Sequence, residues 1–311
     1  MLRKLANSIA IIALCAHGVS ADVELSGFID MSFLSDDGAK SLSLDQLEVD
    51  FSSDLGDGIS VRADMNAMSA DVVLEQAYIA YETGSGVGLT LGKFLSCTGW
   101  EAAEPTAMYQ YSYSATLVYG GYQHGIAASY GKEKFGLYGA IVSSVWDGND
   151  TAFDDFGIEA QVSLMPVDGL TAKIALARED GFTHATQPEP FDRALINIWA
   201  AYETGPLTAA VELNGLGNWE GADGNLYESG VGYLAMANYG ISDKIGVTAR
   251  YSALTLSDNV AGGPDHTTSE ITVAPRYTVS DNWGLIAEAK MLTVGDADAV
   301  AQIGLESLLT F

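Results

Sequence analysis

Apolar and polar residues alternate along most of this chain with a period of two, in segments of about ten residues closed by turn-forming residues. In Ile245-Gly-Val-Thr-Ala-Arg-Tyr-Ser-Ala253, the residues Ile245, Val247, Ala249 and Tyr251 fall on one face, and Gly246, Thr248, Arg250 and Ser252 on the other. Glu270-Ile-Thr-Val-Ala-Pro-Arg-Tyr277 repeats the arrangement, with Glu270, Thr272 and Arg276 opposed to Ile271, Val273 and Tyr277. The same rhythm runs through 43–52, 59–66, 156–165, 170–178, 194–203 and 283–291. Successive strand side chains point to opposite faces, so each segment carries one apolar and one polar face.

A soluble β-sandwich alternates too, and three further features favour a membrane barrel. First, the connections alternate in length. Leu55-Gly-Asp-Gly58, Thr83–Gly86, Gly131–Lys134, Val167–Gly169, Gly205-Pro206, Ser242–Lys244 and Ser280–Asn282 read as tight turns. The stretches 34–41, 95–113, 147–154, 179–192, 216–228, 257–268 and 294–297 read as longer polar loops, and 68–70 as a brief connection on their side. Short turns on one rim and longer loops on the other characterise outer-membrane barrels. Second, Phe51, Tyr202, Tyr239, Tyr277, Trp283 and Phe311 sit on the apolar face beside short turns or at the chain end. An interfacial aromatic girdle requires that placement, whereas a sandwich core would hold its aromatics mid-strand. Third, the chain ends Ile303-Gly-Leu-Glu-Ser-Leu-Leu-Thr-Phe311. Its terminal Phe with Leu309, Leu305 and Ile303 resembles the last strand of bacterial outer-membrane proteins, Ser307 being the weak position. That resemblance implies recognition by the barrel assembly machinery.

The expected fold is therefore all-β: a transmembrane antiparallel up-and-down barrel of about 16 strands, with 14 as the alternative count. Strands are expected to begin near 23, 43, 59, 71, 87, 115, 136, 155, 170, 193, 207, 229, 245, 268, 283 and 298. Sixteen strands enclose water, whereas eight are filled by their own side chains.

Composition narrows the choice. The chain is 48% hydrophobic with a positive mean hydropathy, yet no apolar run beyond the first residues reaches the roughly twenty needed for a spanning helix. Only helices and closed barrels satisfy the backbone in lipid, which leaves the barrel. Residues 1–21 read as a secretory leader: Arg3 and Lys4, an apolar run from Leu5 to Cys15, then Val19-Ser20-Ala21 as cleavage site. A lipoprotein signal acylated on Cys15 is the alternative, disfavoured by the bulky Leu14 before it. Residues 22–311 then form the barrel. Cys97 alone remains, so no disulfide is expected. Twelve Lys and Arg against 41 Asp and Glu leave the mature chain at −29, which excludes nucleic acid as a partner.

Leu89-Thr-Leu-Gly-Lys-Phe94, followed by Gly99-Trp-Glu101 and the Tyr-rich 109–113, resembles the bacterial porin superfamily, and more narrowly the OmpL-like β-barrel porins. The opening Val23–Asp30 is similar to the first strand of that group, and the local likeness covers about the first third of the mature chain. The resemblance implies that the third long loop, 95–113, folds into the lumen and narrows it. Trp100, Glu101 and Glu104 would belong to that constriction, with Glu101 and Glu104 facing bases on the wall. It also implies a homotrimer in lipid and lipopolysaccharide. A surface loop without pore contact is the alternative.

Alternation assigns Arg62, Lys173, Arg193, Arg250, Arg276 and Lys290 to the lumen, with Glu48, Asp50, Asp64, Glu159, Glu212, Glu270, Glu288 and Glu306. Such charges hold water and set a transverse field for small hydrophilic solutes and ions. No cofactor or metal is expected: Asp36-Asp37, Asp147–Asp150, Asp154-Asp155 and Glu220–Asp223 lack the spacing of a calcium loop. His124, His184 and His266 come with no nucleophile motif, so an enzyme is not expected. The competing function is a membrane anchor or adhesin whose acidic loops do the work. No plug segment precedes the first strand, which disfavours a gated transporter.

Overall fold

The computed structural model describes residues 22–36, 38–67, 71–184, 187–259 and 262–311. The leader and the connection at 68–70 lie outside them. Sixteen strands follow in chain order. The first half comprises β1 (Glu24–Asp36), β2 (Ala39–Gly56), β3 (Ile59–Ala67), β4 (Val72–Glu82), β5 (Val87–Leu95), β6 (Tyr122–Lys132), β7 (Phe135–Val142) and β8 (Gly157–Leu164). The second half comprises β9 (Leu170–His184), β10 (Gln187–Thr204), β11 (Leu207–Glu220), β12 (Leu226–Gly240), β13 (Ile245–Asn259), β14 (His266–Ser280), β15 (Trp283–Val294) and β16 (Val300–Thr310). Each strand pairs antiparallel with its sequence neighbours, and β1 closes the barrel on β16. Gly27 and Phe311 exchange both backbone hydrogen bonds at that seam, at 3.1 and 3.0 Å.

The barrel is inside-out relative to a soluble protein. Ile271, Val273 and Tyr277 of β14 are exposed on the outer wall, while Glu270, Thr272 and Ala274 between them are buried. Tyr202, Tyr239, Tyr277, Trp283 and Phe311 are exposed near the short-turn rim, as a girdle requires, and Phe51 is half-buried. Val273 lies four residues up β14 from Tyr277, about 13 Å along the strand, which places it in the middle of the apolar band. Val273→Arg is therefore expected to destabilise the folded barrel by about 2–4 kcal/mol, read from denaturant titrations in lipid vesicles.

The tight turns form where turn residues predict them. Between β2 and β3, Gly56, Asp57 and Gly58 all take positive φ (81°, 53° and 78°). A Cβ on Gly58 would lie 2.3 Å from the Glu82 carbonyl oxygen, so glycine is required there on both counts.

The expected loops fare differently. Most of 34–41, 179–192, 216–228 and 257–268 is strand, because hairpins on that rim continue the ladder well past the membrane. β10 has 18 residues where a spanning strand needs about 9–11. The polarity of those stretches signals water, and a backbone ladder is as well satisfied there as in lipid. His266, expected in a loop, opens β14. Two connections are truly long, 96–121 and 143–156. The strand expected from 115 begins only at Tyr122. Residues 114–121 alternate like a strand but pair with side chains inside the barrel; the Ala115 N–H, for example, donates to Ser252 Oγ at 3.0 Å.

Two β-bulges alter the inward face. Asp64 pairs with Gln76 while Met65 pairs with Leu74, leaving Glu75 as an extra residue in β4. Asp30 and Met31 likewise pair with Gln46 and Leu44, skipping Asp45 in β2. Glu75 thereby joins Gln76 on the inner wall: Asn66 Nδ2 donates to the one, and Gln76 itself donates to Asp64.

Candidate pore and its constriction loop

Loop 96–121 crosses the lumen, and its backbone is held by wall side chains at successive points. The Cys97 N–H donates to Glu159 of β8 at 3.4 Å, and the Ser96 hydroxyl and Gln123 Nε2 donate to the same carboxylate. The Gly99 N–H reaches Asn197 Oδ1 of β10 and the Trp100 N–H reaches Glu212 of β11, both at 3.1 Å. The Trp100 indole meets Trp199 edge-on with centroids 5.2 Å apart. Farther along, Thr248 Oγ1 of β13 donates to the Tyr109 carbonyl at 2.9 Å, and the Ser112 N–H donates to Glu288 of β15 at 3.0 Å. Tyr111 packs over Gly304 of β16, where a Cβ would lie 2.8 Å from its ring, and its hydroxyl is 3.0 Å from Ser32 of β1. The return leg places the Tyr119 hydroxyl on Glu212, so this one carboxylate takes donors from both legs.

Arg250 is the central clamp. Its guanidinium pairs with Glu101 and with Glu270 (3.4 Å), and donates to the carbonyls of Ser112 and Tyr113 at 2.7 and 3.0 Å. The Arg250 and Glu101 side chains are 1% and 3% exposed, so this pair is sealed between loop and wall. Lys290 lies 3.5 Å from Glu270 on the far side. Expected as a residue wetted by the lumen, Arg250 instead holds the loop in place.

The other expected lumen residues divide. Arg62 binds Asp64 (2.8 Å) and approaches Asp50 (3.8 Å) beside a cavity of about 670 Å³ on the short-turn rim. Lys173 stands over Trp199 in a second vestibule of about 560 Å³, which Trp100 roofs. Arg276 is half-buried, and its guanidinium lies along Gly284. Arg193 is enclosed by Phe182, Trp146 and Trp219 rather than by water. Glu48 is buried beside Gln46, which donates to it at 2.7 Å. Glu104, expected to face bases, faces carboxylates: Glu48 and Glu75 offer oxygens within 4.8 Å of its own. Burial, followed by the opposing hydrogen bond from Tyr122 and the charge of Glu75, leaves the Glu104 carboxyl above its usual range. Burial and the nearby Glu104 and Glu101 lift the Tyr113 hydroxyl to about 12.

Alternation missed Asp45 and Glu75 because a bulge shifts the count by one. The loop expected over 147–154 runs from 143 to 156, and alternation did not show that its first residues pack inside the barrel. There the Val145 N–H and Ser144 hydroxyl bind Glu179 at 2.7 and 2.6 Å, and Trp146 donates to the Val118 carbonyl at 3.2 Å. Val142, Val145, Leu195, Leu216 and Leu256 pack there around Val118, an apolar filling inside the barrel wall. The Ser-Ser-Val-Trp run at 143–146 was the available signal, being too apolar for a free loop.

Cys97 tests the packing of the loop. Burial, then the charge of Glu159, pushes its thiol well above the ordinary value. A maleimide at pH 8 is expected to label folded barrel on the order of tenfold or more slower than denatured chain. Equal rates would mean that the loop is not packed as described.

The family described as "Putative beta-barrel porin-2, OmpL-like" matches residues 29–305. No curated protein matches the chain. Among solved structures, OmpF of Salmonella typhi in complex with daunomycin superposes with a TM-score of 0.75 at 9% identity, over 94% of this chain and 98% of that one. The trimer form of in-vitro folded OmpT of Vibrio cholerae gives 0.71 at 11% identity, over 94% and 99%. The anion-selective porin from Comamonas acidovorans gives 0.66 at 13%, over 94% and 100%. At such identities the structures share the fold, and the family match, running from β1 to β16, carries the assignment. This chain belongs to the OmpL-like β-barrel porin family.

Proposed function

We propose that this porin is a passive diffusion channel, passing small hydrophilic solutes and ions down their gradients across the outer membrane with a preference for cations. The observation that carries this reading is the seating of loop 96–121 across the lumen of a sixteen-stranded barrel, pinned by Arg250, Glu212 and Glu159. A loop held this firmly narrows a bore that sixteen strands alone would leave wide. Among the described residues the buried charges are mainly acidic, Asp30, Glu48, Asp64, Glu288 and Glu306 among them, which favours cations in a narrow passage.

The test is current across a planar lipid bilayer with refolded protein under a salt gradient. Stepwise conductance with a reversal potential of cationic sign is expected. A barrel that inserts but stays silent would sink the channel reading and move the weight to an anchor acting through its acidic hairpins. We further infer a homotrimer, since the OmpT structure above is a trimer; chemical cross-linking in the membrane is expected to give a three-chain band.

A further inference from the structure

The bulge at Glu75 builds a site that the porin fold itself does not require. Glu48 of β2, Glu75 of β4 and Glu104 of the loop each place one carboxylate oxygen within 4.8 Å of the other two. None of them forms an ion pair with a Lys, Arg or His among the described residues. Each is instead oriented by one neutral donor: Gln46 on Glu48 at 2.7 Å, Asn66 on Glu75 at 2.7 Å, and the Tyr122 hydroxyl on Glu104. That leaves Glu75 Oε2 and Glu104 Oε2 buried with no hydrogen-bond partner. Fixing ligands through outer hydrogen bonds while leaving oxygens free is the arrangement seen around metal ions.

A second observation points to a ligand independently. Asn66 lies opposite Glu48 in the β2–β3 ladder, is 4% exposed, and has its Oδ1 buried without a partner. A carboxylate only accepts, so the bond to Glu75 identifies the donating atom as Nδ2 and fixes the amide with its oxygen free. A buried carbonyl oxygen left unpaired on a side chain that bonds Glu75 and lies opposite Glu48 is unfavourable unless something positive meets it.

We propose that Glu48, Glu75, Glu104 and the Asn66 Oδ1 bind a divalent cation of calcium size, which ties the constriction loop to the wall at β2–β4. The donor set is all oxygen, and calcium accepts carboxylates and amide carbonyls at 2.3–2.6 Å in irregular geometry, so oxygens up to about 5 Å apart can share one ion. Magnesium, which demands near-ideal octahedral geometry and keeps its waters, fits less well. The loop supplies one ligand and the wall three, so binding and loop docking are one equilibrium. Alternation placed Glu48 on the lumen face and the resemblance placed Glu104 in the constriction loop, but Glu75 has the wrong parity until the bulge is counted.

The test does not depend on conduction. Refolded full-length barrel, stripped with EDTA, is dialysed to equilibrium against radiolabelled calcium. One saturable site is expected. Glu75→Gln and Glu104→Gln weaken it on the order of a hundredfold, and Asn66→Ala, which keeps all three carboxylates, on the order of tenfold. Asp223→Asn, on an outer connection, leaves it unchanged. Heat-modifiable mobility on gels checks that each variant is folded. Absence of a saturable site in the wild-type barrel overturns the proposal, as does a site that Glu75→Gln and Asn66→Ala both leave intact.

Discussion

Arg250→Ala is expected to raise single-channel conductance several-fold and to lower the stability of the docked loop by about 3–5 kcal/mol. The guanidinium is the shared partner of Glu101 on the loop and Glu270 on the wall, and it also takes up the carbonyls of Ser112 and Tyr113. Truncation leaves Glu101, 3% exposed in its side chain, with the charge that balanced it removed, while Glu270, 8% exposed, keeps only Lys290. Removing one partner of a buried pair costs more than the pair contributed, since the survivor stays desolvated. The way out is for Glu101 to swing into water, and it takes residues 99–114 with it. Lysine at this position keeps the charge but not the fork that serves acceptors on both loop and wall, so Arg250→Lys falls between wild type and alanine. Bilayer recordings at fixed salt make the comparison. A wild-type conductance in Arg250→Ala, with intact barrels by gel mobility, would show that the loop is not what limits flow.

The second large effect is expected at Glu212. Its carboxylate accepts from the Trp100 N–H on the outgoing leg, the Tyr119 hydroxyl on the return leg and Asn197 Nδ2 on the wall. Glu212→Ala orphans the Trp100 N–H and the Tyr119 hydroxyl, while Asn197 Nδ2 keeps its bond to Asn214 at 2.7 Å; at about 1–3 kcal/mol for each unsatisfied group, the loss approaches that at Arg250. Glu212 holds both legs of the loop and Arg250 the stretch between them, so their effects are not independent. In either single variant the loop stays tethered by the other anchor, and conductance rises in part. In the double variant Glu159 alone remains of the three anchors, and the rise in conductance exceeds the product of the single-variant factors. A double-mutant cycle that closes with no coupling would mean that the two anchors hold separate segments.

Both anchors were visible in the sequence as charges on the lumen face, but not as anchors. Alternation in Ile245–Ala253 suffices to turn Arg250 inward, because strand parity is a local property. What Arg250 meets there depends on which loop crosses in front of β13, and that is decided by barrel closure and by 26 residues of irregular chain. The same division runs through the molecule. Sixteen strands, the aromatic girdle beside the short turns, the inside-out wall and the third long connection all follow from period, turn chemistry and connection order, which act over a few residues. The outer hairpins escaped that reading because polarity reports the solvent, and a paired strand in water is as polar as a loop.

Only the tertiary structure could turn Glu75 and Asp45 toward the lumen. Parity is a running count, and one bulge resets it for the residue that matters. Likewise, Glu104 could be assigned to the constriction loop from the sequence, yet its companions Glu48 and Glu75 come from strands that reach it only across the lumen. The sequence alone thus determined the barrel, because lipid outside and water inside impose a two-residue rhythm on every spanning segment. The structure decided the constriction, because contacts across a closed lumen join residues with no periodic relation to one another.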